Sequence, residues 1–351
     1  MNSEPEQAAQ PPSRTFRGVV LGGALLIAAL GGALVLHLLS PSQQPSTNRQ
    51  ARPIVQIVRQ QPGLPDLADL IDRLCPSVAI IVPHGADMPP QPNETPPVPA
   101  SAYSSDGWLV TSAANMPKRQ IDAVFGDGSR VELSEVRTDP VSGLAIVKAA
   151  GSDASPLPFS DQAFPRVGEF GFGLTTPVGA GCSASAAMIG SDFVADGGAL
   201  LGYVRLRPAP DDWSAGTPLL STDGRVLGIG TGDPAGAVIP ASIASVILDE
   251  LIRNSPSPST RFGFRAVDYA ASFATRLGQV RSGAGVALVQ PASTAAKAGL
   301  QAGDVVTAVN DIPVSSASEL SRALDAVSRK ATLTVQRQSQ QLNLTLKRTS
   351  N

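Results

Sequence analysis

The chain has 351 residues, a formal net charge of −2 and only 16 % charged residues. No basic patch or run of charge stands out, so nothing in the composition indicates nucleic-acid binding. Its 33 glycines and 31 prolines are typical of turn-rich β domains and linkers, and its length allows two ordinary domains.

An apolar segment near the N-terminus predicts a membrane anchor. Residues 18–39 contain no Asp, Glu, Lys or Arg, and they follow Arg14 and Arg17. At about 1.5 Å per residue this run can cross a ~30 Å hydrocarbon core. A cleaved signal peptide is the nearest alternative, but the run exceeds the usual ~7–15 residues and no Ala-x-Ala site follows it. The positive-inside rule then places residues 1–17 in the cytoplasm, and the bulk of a single-pass bacterial inner-membrane protein in the periplasm.

Beyond the anchor, the pattern predicts two folded units joined by linkers. Residues 40–63 are rich in Pro, Gln and Ser, which is typical of a polar periplasmic linker. Residues 64–253 contain many short β-type runs separated by turn signals, which favours a β-barrel or sandwich. Residues 254–260 form a second linker, and residues 261–351 form a compact second unit.

Apolar spacing predicts helices over 64–74, 243–253 and 317–327. The proline-rich stretch 83–99 is interpreted as a surface loop that supplies no central strand, because proline has no amide hydrogen to donate. The predicted strands of the first unit are 78–82, 108–111, 123–125, 144–147, 170–173, 201–204 and 226–229.

Cysteine and histidine are too sparse for a metal centre. Cys75 and Cys182 are the only cysteines, and the sequence leaves open whether they pair or remain separate thiols. His37 and His84 are the only histidines, so we expect no metal site and no cofactor.

Several short motifs, in their order and spacing, resemble the HtrA/Deg family. Asp106–Thr111 is similar to its Asp-Gly-Tyr-Ile-Leu-Thr strand, and Asp212–Leu220 to its nucleophile loop. Ser293–Leu300 and Gly303–Asn310 are similar to its PDZ domain. The resemblance implies a mostly β fold: a chymotrypsin-like double β-barrel followed by a PDZ domain, in a DegS-like order after one N-terminal transmembrane helix.

The family's catalytic positions carry different residues here. Peptide hydrolysis on this fold uses a serine nucleophile, a histidine base and a carboxylate that orients the histidine. The resemblance places Ala215, Ala114 and Gly143 at these positions, and Trp213 at a glycine of the oxyanion hole. We therefore predict no catalytic residues and no enzyme activity, and a pseudoprotease that acts as a periplasmic scaffold or regulator, or that assembles with active relatives.

Two alternatives stay open. One is a serine endopeptidase with an unconventional nucleophile, Ser214 or Thr217, which would need a base such as Lys118 or Lys148 in a Ser–Lys dyad. The other is a structural protein of a specialised membrane compartment.

The second unit is expected to bind protein C-termini or extended peptides, as the PDZ resemblance implies. For Phe264, lining the peptide pocket and packing as an ordinary core residue of a strand are equal alternatives. Members of the family commonly form trimers, so the resemblance also implies a homo-oligomer. The expected peptide-binding residues are Arg261, Phe262, Gly263, Phe264, Leu320 and Leu324.

Overall fold

The computed structural model describes most of the chain after residue 65. The predicted cytoplasmic tail, the apolar run 18–39 and the linker 40–63 all lie outside the described residues. In the part of the chain that is described, no helix has the length and apolar character needed to span a membrane. The described ranges are 66–87, 96–162, 164–177, 181–191, 195–196, 199–200, 202–211, 213–233, 236–268 and 282–347.

The first folded unit opens with a helix and an antiparallel sheet. Helix α1 spans Leu67–Leu74, and its N-cap Asp66 accepts a hydrogen bond from the Ala68 amide at 3.0 Å. A short 3-10 helix, Cys75–Ser77, leads into the sheet. Its seven strands, in the order β5-β4-β1-β2-β3-β7-β6, are β1 (Val78–Pro83), β2 (Val98–Ala102), β3 (Trp108–Ser112), β4 (Ile121–Phe125), β5 (Arg130–Leu133), β6 (Val136–Thr138) and β7 (Leu144–Lys148).

Strand β2 corrects the expectation that the proline-rich stretch supplies no central strand. It pairs with β1 on one side and β3 on the other. Pro99 lies opposite Ile80 of β1, whereas the register with β3 begins only at Ala100. The missing proline amide therefore falls beyond the last β2–β3 pair, where it removes no bond between these two strands.

The second sheet closes into a barrel with the strand order β12-β15-β14-β13-β8-β9. A helix, α2 (Ala241–Ile252), follows it. The strand predicted at 201–204 begins later, at Val204, because residues 202–203 precede the pairing with β15. The strands are β8 (Phe170–Thr175), β9 (Ser183–Ser191), β12 (Val204–Arg207), β13 (Pro218–Ser221), β14 (Val226–Gly230) and β15 (Ala237–Pro240), with β10 (Ala195–Asp196) and β11 (Ala199–Leu200) forming a separate hairpin.

A disulfide fastens the two sheets of this unit together. Cys75, which precedes β1, is bonded to Cys182, which precedes β9, with Cα atoms 5.8 Å apart. This decides the pairing that the sequence left open. Both sheets also share one apolar core, which includes Ile146, Leu220 and Leu248.

The second unit is a small sheet with two helices, as expected for a PDZ domain. The 3-10 helix Pro258–Phe262 enters it. The strands are β16 (Phe264–Asp268), β17 (Ala284–Val289), β18 (Val305–Val309), β19 (Ile312–Pro313), β20 (Lys330–Arg337) and β21 (Gln340–Lys347), and the helices are α3 (Thr294–Lys297) and α4 (Ala317–Asp325). The order is β16-β17-β18-β20-β21, so β16 lies at an edge of the sheet formed by the described strands, and β19 pairs with β18.

A buried ion-pair cluster joins the two units. The side chain of Arg265 in β16 is only 2 % exposed, and its Nη2 lies 2.5 Å from Oδ1 of Asp139 in the first unit. Arg265 also pairs with Glu250 of α2. The other carboxylate oxygen of Asp139 accepts hydrogen bonds from the Ser142 amide at 2.8 Å and hydroxyl at 2.6 Å. Such a buried charge is tolerated because each group is paired and hydrogen-bonded.

Candidate active site and peptide-binding cleft

The three segments that carry the predicted catalytic positions meet where the two sheets face each other. The segment after β3 contacts the one before β7, because the Ala113 amide donates to the Gly143 carbonyl at 2.8 Å. The loop before β13 lies against β2 and the end of β3: a Cβ added to Gly216 would be 2.4 Å from the Pro99 carbonyl oxygen and 3.1 Å from the Ser112 amide nitrogen. Gly216 has φ +91°, a conformation that glycine adopts without strain. Ala114, Gly143 and Ala215 thus lie on neighbouring segments, and their catalytic correspondence stays a prediction.

Trp213 fills the space beside this loop. Its ring lies between β8 and β14, where both strands carry glycine: a Cβ on Gly173 would be 2.6 Å from the ring, and one on Gly230 would be 2.9 Å from Nε1. The small cavity between Trp213, Thr175, Ser185 and neighbouring residues has no room for a water molecule. Side chains at both glycines would collide with the indole, so the two glycines make room for this ring.

The backbone at Trp213 is also committed elsewhere. The Trp213 amide donates to the Pro210 carbonyl at 3.1 Å. An oxyanion hole needs amide hydrogens that point at the substrate carbonyl. Trp213 Nε1 and Thr217 Oγ1 are buried and have no hydrogen-bond partner among the described residues. The space around the indole is thus closed. Within the described part of the chain, each of these two buried polar groups lacks a hydrogen bond, which costs about 1–3 kcal/mol of folding free energy.

The groups considered as nucleophile or base are spread over several segments. Ser214 is exposed, and its carbonyl accepts from the Thr217 amide at 3.2 Å. Lys118 is exposed on the segment after β3. Lys148 donates to Asp106 at 2.9 Å and lies 4.9 Å from the centre of the Trp108 ring, so it is already engaged.

His84 belongs to a separate cluster beside β4. Its Nδ1 lies 2.8 Å from Asp122 Oδ1, and Arg130 Nε donates to the other carboxylate oxygen at 2.8 Å. Burial by itself would raise the pKa of Asp122, but the hydrogen bonds from His84, the Gly85 amide and Arg130 outweigh it and hold the pKa below its ordinary value of 3.8. The buried Asp122 carboxylate in the first sheet thus holds the His84 ring in place.

In the second unit, the expected peptide-binding residues come together, but mostly inside the core. Phe262, Phe264, Leu320 and Leu324 are each at most 2 % exposed and belong to one apolar cluster. The two interpretations of Phe264 are therefore not exclusive, since it is strand core at the base of the same region. Arg261 is exposed and forms an ion pair with Asp325 of α4.

Gly263 also has a local structural role. Its amide donates to the Thr260 carbonyl at 3.0 Å, so it is engaged in ending the 3-10 helix. With φ +82°, an added Cβ would lie 2.2 Å from the Cβ of Ser293, the N-cap of α3. Glycine is needed here for close packing and a left-handed backbone, in addition to any approach by a peptide carboxylate.

An open cleft runs between β16 and α4. It has a volume of about 570 Å³, and its third wall is the C-terminal half of α2 from the first unit. Among the described residues, no cluster of three or more His, Cys, Asp or Glu side chains is arranged to hold a metal ion.

Comparison with known proteins agrees with this architecture. Residues 100–229 match the model of a trypsin-like peptidase domain, and residues 285–337 match that of a PDZ domain. A probable periplasmic serine endoprotease, DegP-like, from Brucella suis biovar 1 (strain 1330) is 30 % identical over 284 residues, covering 74 % of this chain and 55 % of its own length. The chain belongs to the HtrA/Deg family.

Two further proteins are similar to this chain. The periplasmic pH-dependent serine endoprotease DegQ from Escherichia coli (strain K12) is 25 % identical over 298 residues, or 75 % of this chain and 65 % of that protein. The crystal structure of the serine endoprotease from Yersinia pestis covers 81 % of this chain and 97 % of its own at a TM-score of 0.48 and 20 % identity. The chain spans between half and two thirds of the length of the DegP-like protein and DegQ.

The comparison overturns the expectation of a pseudoprotease. The relatives that match both domains are named serine endoproteases, so the prediction of a protein without enzyme activity is wrong. That prediction rested on Ala215, Ala114 and Gly143 at the catalytic positions and on Trp213 at the oxyanion position. The same fold of an HtrA/Deg domain also presents other hydroxyls near its loops, and serine hydrolysis elsewhere runs with partners other than histidine.

Proposed function

We propose that this chain is a periplasmic serine endopeptidase of the HtrA/Deg type. Its nucleophile is Ser214, because position 215 carries an alanine. The match to relatives named serine endoproteases across both domains carries this proposal. The exposed position of Ser214 in the loop before β13 supports it, because Gly216 of that loop packs against β2 and the end of β3.

Two groups have to move before Ser214 can act on a peptide. A substrate carbonyl needs amide donors, so the Trp213 amide has to leave the Pro210 carbonyl. The indole has to leave its slot between Gly173 and Gly230 to admit a substrate side chain. A proton acceptor is also required, and Lys118 is the candidate since Lys148 is engaged with Asp106.

A fluorophosphonate probe tests the nucleophile directly. We expect the purified chain to be labelled, and labelling together with hydrolysis of unfolded casein to disappear in Ser214→Ala. Ser134→Ala is the matched control, because Ser134 is an exposed serine in the turn between β5 and β6. Absence of labelling in the unmodified chain, or labelling that survives Ser214→Ala, would refute the assignment.

The PDZ domain is proposed to hold the polypeptide that is processed. The edge strand β16 and the open cleft beside it support binding of an extended peptide or a protein C-terminus by strand addition. Full-length chain should retain labelled C-terminal peptides in a pull-down. Equal retention by a variant with Asp268→Pro, which blocks an edge-strand position, would argue against strand addition there.

We also propose that residues 18–39 anchor the chain in the inner membrane and that the chain forms a homotrimer. The apolar composition of that run supports the first statement. For the second, Phe170 and Met188 face each other across β8 and β9 and are 47 % and 42 % exposed, which leaves apolar surface for another copy. Alkaline carbonate extraction, and light scattering of Phe170→Asp, would test the two statements separately.

A further inference from the structure

The open cleft is built from both domains. One wall is the edge strand β16 of the PDZ domain, and the opposite wall is α4, which contributes small side chains such as Ser318 and Ser321. The third wall is α2 of the peptidase domain, through Val246, Glu250 and Arg253. A peptide that occupies this cleft would therefore contact the peptidase domain as well as the PDZ domain.

Most charged groups in the lining already have partners. Glu250 is paired with Arg265, and Arg261 with Asp325. The carboxylate of Asp268 accepts a hydrogen bond from the Ala317 amide at 2.9 Å, at the start of α4. These groups shape the cleft but have little capacity left for a ligand.

Arg253 differs from these groups. It follows the last residue of α2 and is exposed, and its guanidinium has no ion pair or hydrogen bond to any of the residues that the structure describes. Asp249, one turn earlier, accepts a hydrogen bond from the Tyr103 hydroxyl at 2.7 Å. A guanidinium offers several donors in a planar fork that suits a carboxylate, so Arg253 is a cation available to a ligand.

The geometry of β16 decides which ligand side chains would reach Arg253. Phe264 points into the PDZ core, whereas Arg265 and Val267 lie against the peptidase domain. A strand added beside β16 has the same alternation, so every second side chain of the peptide would face α2. If the last side chain enters toward the PDZ core, the penultimate and fourth-from-last side chains face α2.

We propose that Arg253 is a specificity-determining residue of the cleft and selects extended C-terminal peptides with an acidic side chain at a position that faces α2. This inference rests on the peptide-binding part of the proposed function and is independent of the nucleophile. A carboxylate at such a position would form a charge-assisted hydrogen bond with the Arg253 guanidinium, which a neutral side chain cannot form. The peptidase domain would in this way take part in choosing the peptide that the PDZ domain holds.

Matched peptide pools test the proposal on the whole 351-residue chain with Ser214→Ala, and mass spectrometry after each titration checks that the probe is intact. Fluorescein-labelled decamers with random residues carry Glu, or Gln, at both the penultimate and the fourth-from-last position. We expect the Glu pool to bind about tenfold more tightly by fluorescence anisotropy, as one charge-assisted hydrogen bond implies. Arg253→Gln should remove this preference and leave binding of the Gln pool unchanged, while Arg253→Lys should restore part of it.

Arg329→Gln is the control, because Arg329 is an exposed arginine outside the cleft. Its preference for the Glu pool should match that of the parent chain. A preference that persists in Arg253→Gln, or equal binding of the two pools by the parent, overturns the role of Arg253 alone. No binding of either pool overturns this inference together with peptide binding by the cleft, and the fluorophosphonate result decides the nucleophile separately.

Discussion

The catalytic-loop region and the PDZ cleft differ in how their space is used. Beside the loop, the Trp213 ring fills a slot between two glycines, and the nearby cavity has no room for water. The cleft between β16 and α4 has a volume of about 570 Å³ and an exposed arginine without an ion pair among the described residues. Peptide capture can begin with the cleft as it stands, whereas the proposed hydrolysis requires the loop before β13 to rearrange. In the proposed function, substrate binding and the opening of this loop are thus separate events.

The largest expected effect separates the stabilities of the two regions. Both cysteines lie in the peptidase domain, and their disulfide spans 107 residues. In the chain-entropy model a loop of this length contributes about 4–5 kcal/mol. The Cys75→Ser/Cys182→Ser variant should unfold at lower urea concentration in the peptidase domain, with little change in the PDZ domain. Hydrogen exchange followed by mass spectrometry measures both, and equal loss of protection in the two domains would contradict this.

The next largest effect is expected from the ion-pair cluster of Arg265, Asp139 and Glu250, which joins the peptidase domain to the PDZ domain. Arg265→Met removes a guanidinium that is 2 % exposed and leaves Asp139 buried without its charge partner. Breaking a buried pair in this way costs about 3–5 kcal/mol. We expect a lower unfolding midpoint and faster proteolysis of residues 253–257, between α2 and the 3-10 helix Pro258–Phe262. Arg329→Met serves as the control, and an unchanged midpoint in Arg265→Met would show that the two domains do not depend on this cluster.

The third prediction concerns the Trp213 ring, which fills the space beside the loop before β13. Trp213→Ala removes the ring from its slot, and truncation of a buried Trp costs about 3 kcal/mol or more. The same change should raise the rate of fluorophosphonate labelling at Ser214, because the pocket becomes accessible. Peptide binding in the cleft should stay unchanged, which would sharpen the contrast between the regions. Reduced labelling in a variant that remains folded would indicate that the ring supports the loop instead of blocking it.

The smallest effect concerns pH and the His84 cluster. The pKa of Asp122 is held below its ordinary value of 3.8 in the folded state, so its ionised form stabilises the fold above that pH. This contribution is lost as the pH falls below about 3.8 and through the lowered folded pKa. Asp122→Asn should therefore be less stable at neutral pH by about 1 kcal/mol and should lose less stability on acidification. Urea titrations at pH 7 and pH 3 check this, and parallel losses in both proteins would contradict it.

Local patterns in the sequence predicted most elements of the fold. The strands at 108–112 and 144–148 and the helices at 241–252 and 317–325 begin or end within a few residues of their predicted limits. These segments follow from periodicity and turn residues, which act over short distances. The prediction that the stretch with Pro99 supplies no central strand was wrong. A proline is tolerated there because β3 stops pairing before it, which depends on the neighbouring strand.

The candidate site was less predictable. The sequence placed Trp213 at an oxyanion position, but not its ring between Gly173 and Gly230 or its amide on Pro210. Arg253 carried no motif, and its position in the peptide cleft follows only from the packing of α2 beside β16. Phe264 and Leu324 were expected to line a pocket, and their depth in the core became clear only when both sides were assembled.

The sequence by itself thus determined the order of two domains, the family and the identity of the side chains at the predicted catalytic positions, because motifs and hydrophobic spacing are local. Only the tertiary structure decided that Cys75 pairs with Cys182, that Arg265 meets a carboxylate 126 residues away, and that α2 walls the peptide cleft. Contacts over such separations depend on how whole sheets pack, and close packing selects one arrangement that no short pattern records.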